Sequence, residues 1–216
     1  MTSPAAPAAS APRGPGLGGP FSFVLYPLIH TIVRIKFRIL WRRRIIGWEN
    51  VPLKGAVILA SNHASLADPL LVATAVTRPV FFMAKQELFD IPGLGWLIRQ
   101  LNAFPIRRME RDMGAFRMAQ RVLTSGNPLI LFPEGTRQKT GELGRARAGV
   151  GMLAIRTGCP VVPVYVHNSR RIGRLARLSV VFGPPLSTVG ESDYQVFSDK
   201  VMAAIAGLKE KYFGTS

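Results

Sequence analysis

The stretch AVILASNHASLADPL, residues 56–70, decides how this chain is read. Its first five residues, Ala56 to Ala60, form an unbroken apolar run containing the β-branched pair Val57 and Ile58, the pattern of a strand covered on both faces. Its end, Asp68-Pro69-Leu70, opens a helix, because proline is favoured at the first helical position; Asp68 is then the expected N-cap. His63 falls in the loop between. It stands five positions before Asp68, a spacing that on a regular helix would set the two about 140° apart. Contact between them therefore requires a turn. An imidazole beside a carboxylate has its tautomer fixed and its protonated form stabilised, which is the make-up of a general base. The plainer alternative is a capping aspartate next to a surface histidine.

The strand, loop and helix pattern recurs along the chain. Further apolar, β-rich runs cover Val80 to Met83, Ala103 to Ile106, Leu129 to Phe132, Val161 to Val166 and Leu178 to Phe182. Between them a helix is expected from Asp112, as N-cap, through Leu123, with Met113, Phe116, Ala119 and Leu123 on one side. Another starts near Arg147 and stops before Gly158. A last one starts at Ser192, with Gln195 completing a capping box and Phe197, Val201, Ile205, Leu208 and Tyr212 as its stripe. Alternation of this kind predicts a single α/β domain with a mostly parallel sheet flanked by helices. In such folds sites gather where strands end and loops begin.

With 216 residues the chain suits one domain, read here as 45–216, and two segments precede it. Residues 1–20 are almost entirely Ala, Pro, Gly and Ser and predict a disordered tail. Residues 21–44 read as an amphipathic basic helix: Leu25, Leu28, Ile32, Ile35 and Ile39 recur at steps of three and four, and Arg34, Arg38 and Arg42 at steps of four on the opposite side, closed by Arg43 and Arg44. Flanking Phe21, Phe23, Trp41 and Trp48 complete the pattern of a helix lying in a membrane interface. Packing on the protein's own core is the competing reading. The apolar stretch from Phe21 to Val33 is too short for the roughly 20 residues that span a bilayer, and no cleavage site follows it.

A formal charge of +16 calls for an anionic partner: nucleic acid, an anionic membrane or a phosphorylated substrate. The broad Leu/Ile/Phe face disfavours nucleic acid. The single Cys159 has no internal disulfide partner, which fits a reducing setting. With one Cys and three scattered His, no metal-ligand spacing is present.

Three other clusters carry potential chemistry. LFPEGTRQ, residues 131–138, follows a buried run; Gly135 frees the backbone to turn, and Arg137 offers a fork suited to phosphate, unless Glu134 and Arg137 merely pair with each other. NAFPIRR, residues 102–108, presents Arg107 and Arg108 together. CPVVPVYV, residues 159–166, is a buried strand interrupted by Pro163, the mark of an edge or a bulge. Ser65 lacks the glycines of a nucleophile elbow, and His167 among arginines is a poor substitute base.

Taken in order, these blocks resemble those of the glycerolipid acyltransferases, the family of 1-acylglycerol-3-phosphate acyltransferases. Asn62, His63 and Asp68 match its first block. Ile106 and Arg108 match its second, with Asn102 where the family has Gly. Phe132 to Arg137 match the third in full, and Pro163, Val164 and Tyr165 the fourth. The resemblance implies acyl transfer from a thioester, acyl-CoA or acyl carrier protein, to the sn-2 hydroxyl of lysophosphatidic acid, giving phosphatidic acid, with no permanently bound cofactor. It makes His63 the base and Asp68 its orienting acid, and gives Arg108, Glu134, Gly135 and Arg137, with Asn62 and Thr136, to the acceptor. It leaves Pro163, Val164 and Tyr165 to the acyl donor or to structure. Backbone N–H groups from Asp68 to Leu70 are candidates to hold the thioester oxygen. The implied location is the cytoplasmic face of the membrane, peripheral or monotopic. Acylation of glycerol 3-phosphate or of another lysophospholipid or glycolipid remains an alternative, as does a non-catalytic basic binder.

Overall fold

The structure is a computed structural model and describes residues 22–106, 112–138 and 140–214; the expected tail and Arg108 lie outside the described residues. In chain order the elements are α1 (Ser22–Leu40), β1 (Arg44–Ile46), β2 (Val57–Ser61), α2 (Asp68–Ala73), β3 (Phe81–Lys85), α3 (Leu94–Gln100) and β4 (Ala103–Ile106). Then follow α4 (Met113–Thr124), β5 (Pro128–Leu131), α5 (Gly149–Thr157), β6 (Val161–His167), β7 (Ser179–Phe182) and α6 (Tyr194–Phe213). The strands form one sheet in the order β1-β7-β6-β2-β5-β3-β4. Only β6 and β7 pair antiparallel among the described strands.

The apolar run before Asn62 forms β2, and all five residues of the strand are buried because helices cover both faces of the sheet. Val57 and Leu59 point to a core shared with Tyr26 and Phe37 of α1, Leu71 and Val72 of α2, and Leu97 and Ile98 of α3. Ile58 and Ala60 point the other way, to Ala119 and Val122 of α4, Leu153 and Ala154 of α5, and Phe197, Val201 and Ile205 of α6. The six expected strands form within a residue or two of their expected bounds. The sheet gains β1, a three-residue edge strand that begins at Arg44, the last residue of the segment read as basic helix.

Asp112 caps α4 as expected, its Oδ1 accepting the Ala115 N–H at 2.9 Å. The last helix instead begins at Tyr194, with Asp193 accepting from the N–H groups of Gln195 and Val196. No capping box forms from Ser192, because the Gln195 side chain reaches forward to Ala146 O and Asp199. Asp68 is not the N-cap of α2 either: the helix starts at Asp68 itself, with Ala67 in the cap position.

The first helix is apolar on two sides. Tyr26 and Phe37 face the core, and the Tyr26 hydroxyl accepts the Val80 N–H. The expected stripe is not that face: Leu28, Ile32, Ile35 and Ile39 are exposed, Ile39 by 66%. At about 100° per residue, Arg34 and Arg38 lie on the flank between the two apolar faces rather than opposite the stripe. Arg34, Arg38, Arg42 and Arg44 are exposed.

Arg43, expected with these at a membrane, is buried. Arg42 takes a left-handed φ of 47°, so the chain turns and its successor enters the core. There Arg43 Nη1 donates to Leu71 O and Thr74 Oγ1, and Nη2 to Thr74 O, gripping the last turn of α2. Burial lowers its pKa to about 10, so the guanidinium stays charged near neutrality. Arg43→Met leaves these carbonyls without a donor and is expected to cost about 2–4 kcal/mol in urea unfolding, whereas Arg42→Met costs under about 0.5 kcal/mol. Equal losses at the two positions would refute the burial of Arg43.

Candidate active site

Strands β2 and β5 run side by side and parallel, Ala60 opposite Leu131. The chain leaving β2 turns to α2 on one face of the sheet, and the chain leaving β5 reaches α5 on the other. Diverging connections open a crevice at the carboxyl ends of the two strands. The loops that enter it are 62–67 and 132–138.

Asn62 anchors the first loop. Its Oδ1 accepts the Val166 N–H at 2.7 Å and its Nδ2 donates to Val166 O at 3.1 Å, which prolongs the β2–β6 pairing by side chain. Expected to touch substrate, Asn62 is buried and has its amide committed to β6. It carries β2 straight into His63.

His63 Nδ1 lies 2.9 Å from Asp68 Oδ2, and both side chains are buried. The same oxygen accepts the N–H groups of Ala64 and Ser65, each at 2.7 Å. Asp68 therefore caps the turn that precedes it, and this closes the five-residue gap that a helix could not. An oxygen that already accepts from two amides also accepts from the ring, which assigns the proton to Nδ1 and the lone pair to Nε2. The Phe132 ring stacks on the imidazole, centroids 4.0 Å apart at 22°. Nε2 makes no hydrogen bond to any described residue. Asp68 N–H donates to Ser65 O, and Pro69 has no N–H, so these two are not free donors for a thioester oxygen. The Ser65 hydroxyl accepts from the Ala67 N–H rather than meeting the imidazole.

The second loop holds the first by its main chain. Glu134 Oε2 accepts the His63 N–H at 2.8 Å, and the Gln138 N–H donates to His63 O at 2.8 Å. The other Glu134 oxygen, Oε1, accepts the Gly144 N–H at 2.8 Å. Burial raises the Glu134 carboxyl above its ordinary pKa, against the opposing pull of these two bonds. No Glu134–Arg137 ion pair forms among the described residues. Glu134, expected on the acceptor, is a buried strap between two backbones. Gly135 adopts φ 70° and closes a turn onto Phe132 O, leaving Thr136 and Arg137 exposed at the mouth.

The remaining expectations fall elsewhere. Ile106 ends β4 at the far edge of the sheet, and Arg108 lies outside the described residues. Pro163 is not on an edge, since β6 is central; it stands at a bulge, where Gly183 donates to Pro163 O and the chain rejoins β6 at the Val161–Leu186 bridge. A methyl group on Gly183 would come within 2.9 Å of the Pro163 ring. Val164 and Tyr165 are core residues, and burial raises the Tyr165 phenol. His167 stacks on Phe213 of α6 at 3.9 Å; burial, with Arg171 and Lys209, lowers its pKa. Motif reading missed the Phe132 stack, the Gln138 bond and Arg147, whose side chain lies over Gly135. Among the described residues no cluster of metal-ligating side chains occurs.

Comparison with known proteins places these features in context. A family model described as Acyltransferase matches residues 42–167. A 1-acyl-sn-glycerol-3-phosphate acyltransferase of Pseudomonas aeruginosa is 28% identical over 80% of this chain and 76% of its own length. A chloroplastic 1-acyl-sn-glycerol-3-phosphate acyltransferase of Brassica napus is 30% identical over 61% of this chain, which spans 39% of that longer protein. The crystal structure of the 1-acyl-sn-glycerophosphate (LPA) acyltransferase from Thermotoga maritima is similar with a TM-score of 0.72 at 27% identity, over 90% of this chain and 87% of that one.

Proposed function

This chain belongs to the acyltransferase family, and from that premise we propose that it moves a fatty acyl group from a thioester to the sn-2 hydroxyl of 1-acylglycerol 3-phosphate. The product is phosphatidic acid, and the free thiol leaves. The observation that carries this reading is His63: buried, its Nδ1 tied to Asp68, its Nε2 without a bond to any described residue.

The steps follow from that arrangement. Nε2 takes the proton of the acceptor hydroxyl as the oxygen attacks the thioester carbonyl. Asp68 holds the ring in the tautomer that can accept, and stabilises the charge it gains. As the tetrahedral adduct collapses, the C–S bond breaks and the proton passes from Nε2 to the departing thiolate. The acyl chain is then an ester of the acceptor, and His63 is restored without a covalent enzyme intermediate. Arg137, exposed beside the crevice, suits the acceptor's phosphate; resemblance adds Arg108. The donor is acyl-CoA or an acyl carrier protein thioester, a co-substrate rather than a resident cofactor.

The acceptor lives in a bilayer, and withdrawing each methylene into water costs about 0.8 kcal/mol. A protein that works at the interface avoids that cost. The outward stripe of α1, Leu28, Ile32, Ile35 and Ile39, flanked by Arg34, Arg38, Arg42 and Arg44, fits insertion beside anionic headgroups. Among the described residues no helix is long and apolar enough to cross a membrane. The reading is therefore peripheral attachment at the cytoplasmic face, by the uncovered side of a helix whose other side is part of the core. Nucleic acid has no use for such a stripe and is not a partner in this reading.

Acyl transfer from a long-chain acyl thioester to lysophosphatidate is expected from the intact protein, and a drop of at least about 100-fold in kcat from His63→Ala. Retention of most activity would remove the histidine from the mechanism. Replacing both Ile32 and Ile35 with Asp should weaken binding to anionic liposomes by at least about 10-fold with the melting temperature unchanged, since both side chains already face outward. Unaltered liposome binding would place the membrane contact elsewhere.

A further inference from the structure

We propose that Arg147 grips the phosphate of the acceptor, a role that neither the motif blocks nor the resemblance assigns to it. The proposal rests on the acceptor reading above and adds a residue to it.

The chemistry of the acceptor sets the requirement. In 1-acylglycerol 3-phosphate the phosphate is separated from the hydroxyl-bearing carbon by one methylene and one ester oxygen. With that hydroxyl on Nε2 of His63, the phosphate must settle close to the imidazole, against the loops that surround it. The 132–138 loop is bonded to His63 on both sides, through Glu134 at its N–H and Gln138 at its C=O. Cations seated on that loop are therefore within reach of the phosphate.

Arg147 is such a cation. Its segment is fastened to the loop at two points, the Gly144 N–H to Glu134 Oε1 at 2.8 Å and the Arg147 N–H to Pro133 O at 2.8 Å. Its side chain then lies across Gly135, so closely that a Cβ there would stand 2.8 Å from Arg147 Cδ and 2.9 Å from Nε. Gly135 thus serves two purposes: it takes the left-handed turn, and it leaves room for the guanidinium. The segment is further packed by Gln138, whose amide nitrogen would meet a Cβ on Gly144 at 2.5 Å.

Among the described residues no carboxylate pairs with the guanidinium. Glu134, next to the Pro133 whose carbonyl accepts the Arg147 N–H, is committed to two backbone N–H groups, and none of the ion pairs among the described residues includes Arg147 or Arg137. In a chain with 28 basic and 12 acidic residues an unpaired arginine is common, so the absence of a partner alone says little. What distinguishes Arg147 is its seat: an exposed cation whose stem is held on the turn that straps the catalytic imidazole. Two planar forks, Arg137 in the turn's own loop and Arg147 packed over its Gly135, match a dianionic phosphomonoester better than one.

The test uses the intact protein in neutral detergent micelles. Arg147→Ala should raise KM for lysophosphatidate by about 10- to 100-fold, with kcat and the KM for the thioester changed less than about two-fold. Arg147→Lys should recover part of the loss, a point charge replacing a fork. Competitive inhibition by glycerol 3-phosphate should weaken in parallel. An unchanged KM for lysophosphatidate overturns the proposal. So does a fall in kcat at constant KM, which would make Arg147 a prop for the Glu134 loop. An effect seen on anionic vesicles but not in neutral micelles would assign the contact to membrane headgroups and likewise overturn it. If the intact protein fails to acylate lysophosphatidate, the acceptor reading falls first. Direct calorimetry of glycerol 3-phosphate binding then decides Arg147 separately, with weaker binding by the Ala variant expected and equal binding refuting it.

Discussion

One carboxylate oxygen, Oδ2 of Asp68, accepts three hydrogen bonds, from the His63 ring and from the N–H groups of Ala64 and Ser65. These bonds turn the six residues from His63 to Asp68 back on themselves, and without them the loop after β2 would have no reason to bring ring and carboxylate together. They also remove freedom from the imidazole, because an oxygen that accepts from two amides leaves the ring only the donor's part at Nδ1. The lone pair is thereby directed to Nε2, and the chemistry proposed for the chain follows from that direction.

The rest of the fold keeps this turn in place. Asn62 ties its start to β6, Glu134 and Gln138 hold the His63 main chain on both sides, and Phe132 covers the ring. Arg43 fastens the far end of α2, whose first residue is Asp68. Asn62, Glu134 and Arg43 each act by a side chain bonding backbone, so these three supports depend little on what the neighbouring side chains are. A buried Glu134 whose pKa is raised by desolvation is the cost of one such strap, offset by the two N–H groups it receives.

Much of this architecture was legible in the sequence. Strands covered on both faces must be apolar throughout, so six of them stood out as runs, and their alternation with helices led to a parallel α/β sheet. Two elements were hidden: β1 is three residues of an arginine-rich segment, and α3 is too short to show a helical period. The motif reading identified His63, Asp68 and the 132–137 loop, and the structure brings them into one crevice. It could not separate residues that would touch substrate from residues that hold backbone, since Asn62 and Glu134 are polar in either role. Nor could it tell Arg43 from Arg42 and Arg44: the difference is a left-handed turn at Arg42 that points one of three identical side chains inward. On α1 the pattern showed an apolar stripe, but which apolar side meets the core depends on Tyr26 and Phe37 finding partners across the sequence.

The most direct measurement is the position of the proton on His63, read by nitrogen-15 NMR of histidine-labelled protein at a pH where the ring is neutral. The account predicts a protonated Nδ1 and a lone pair on Nε2, with that preference lost in Asp68→Ala. A neutral His63 carrying its proton on Nε2 in the intact protein would contradict it, because such a ring could not accept a proton from the acceptor hydroxyl at the position the crevice leaves open.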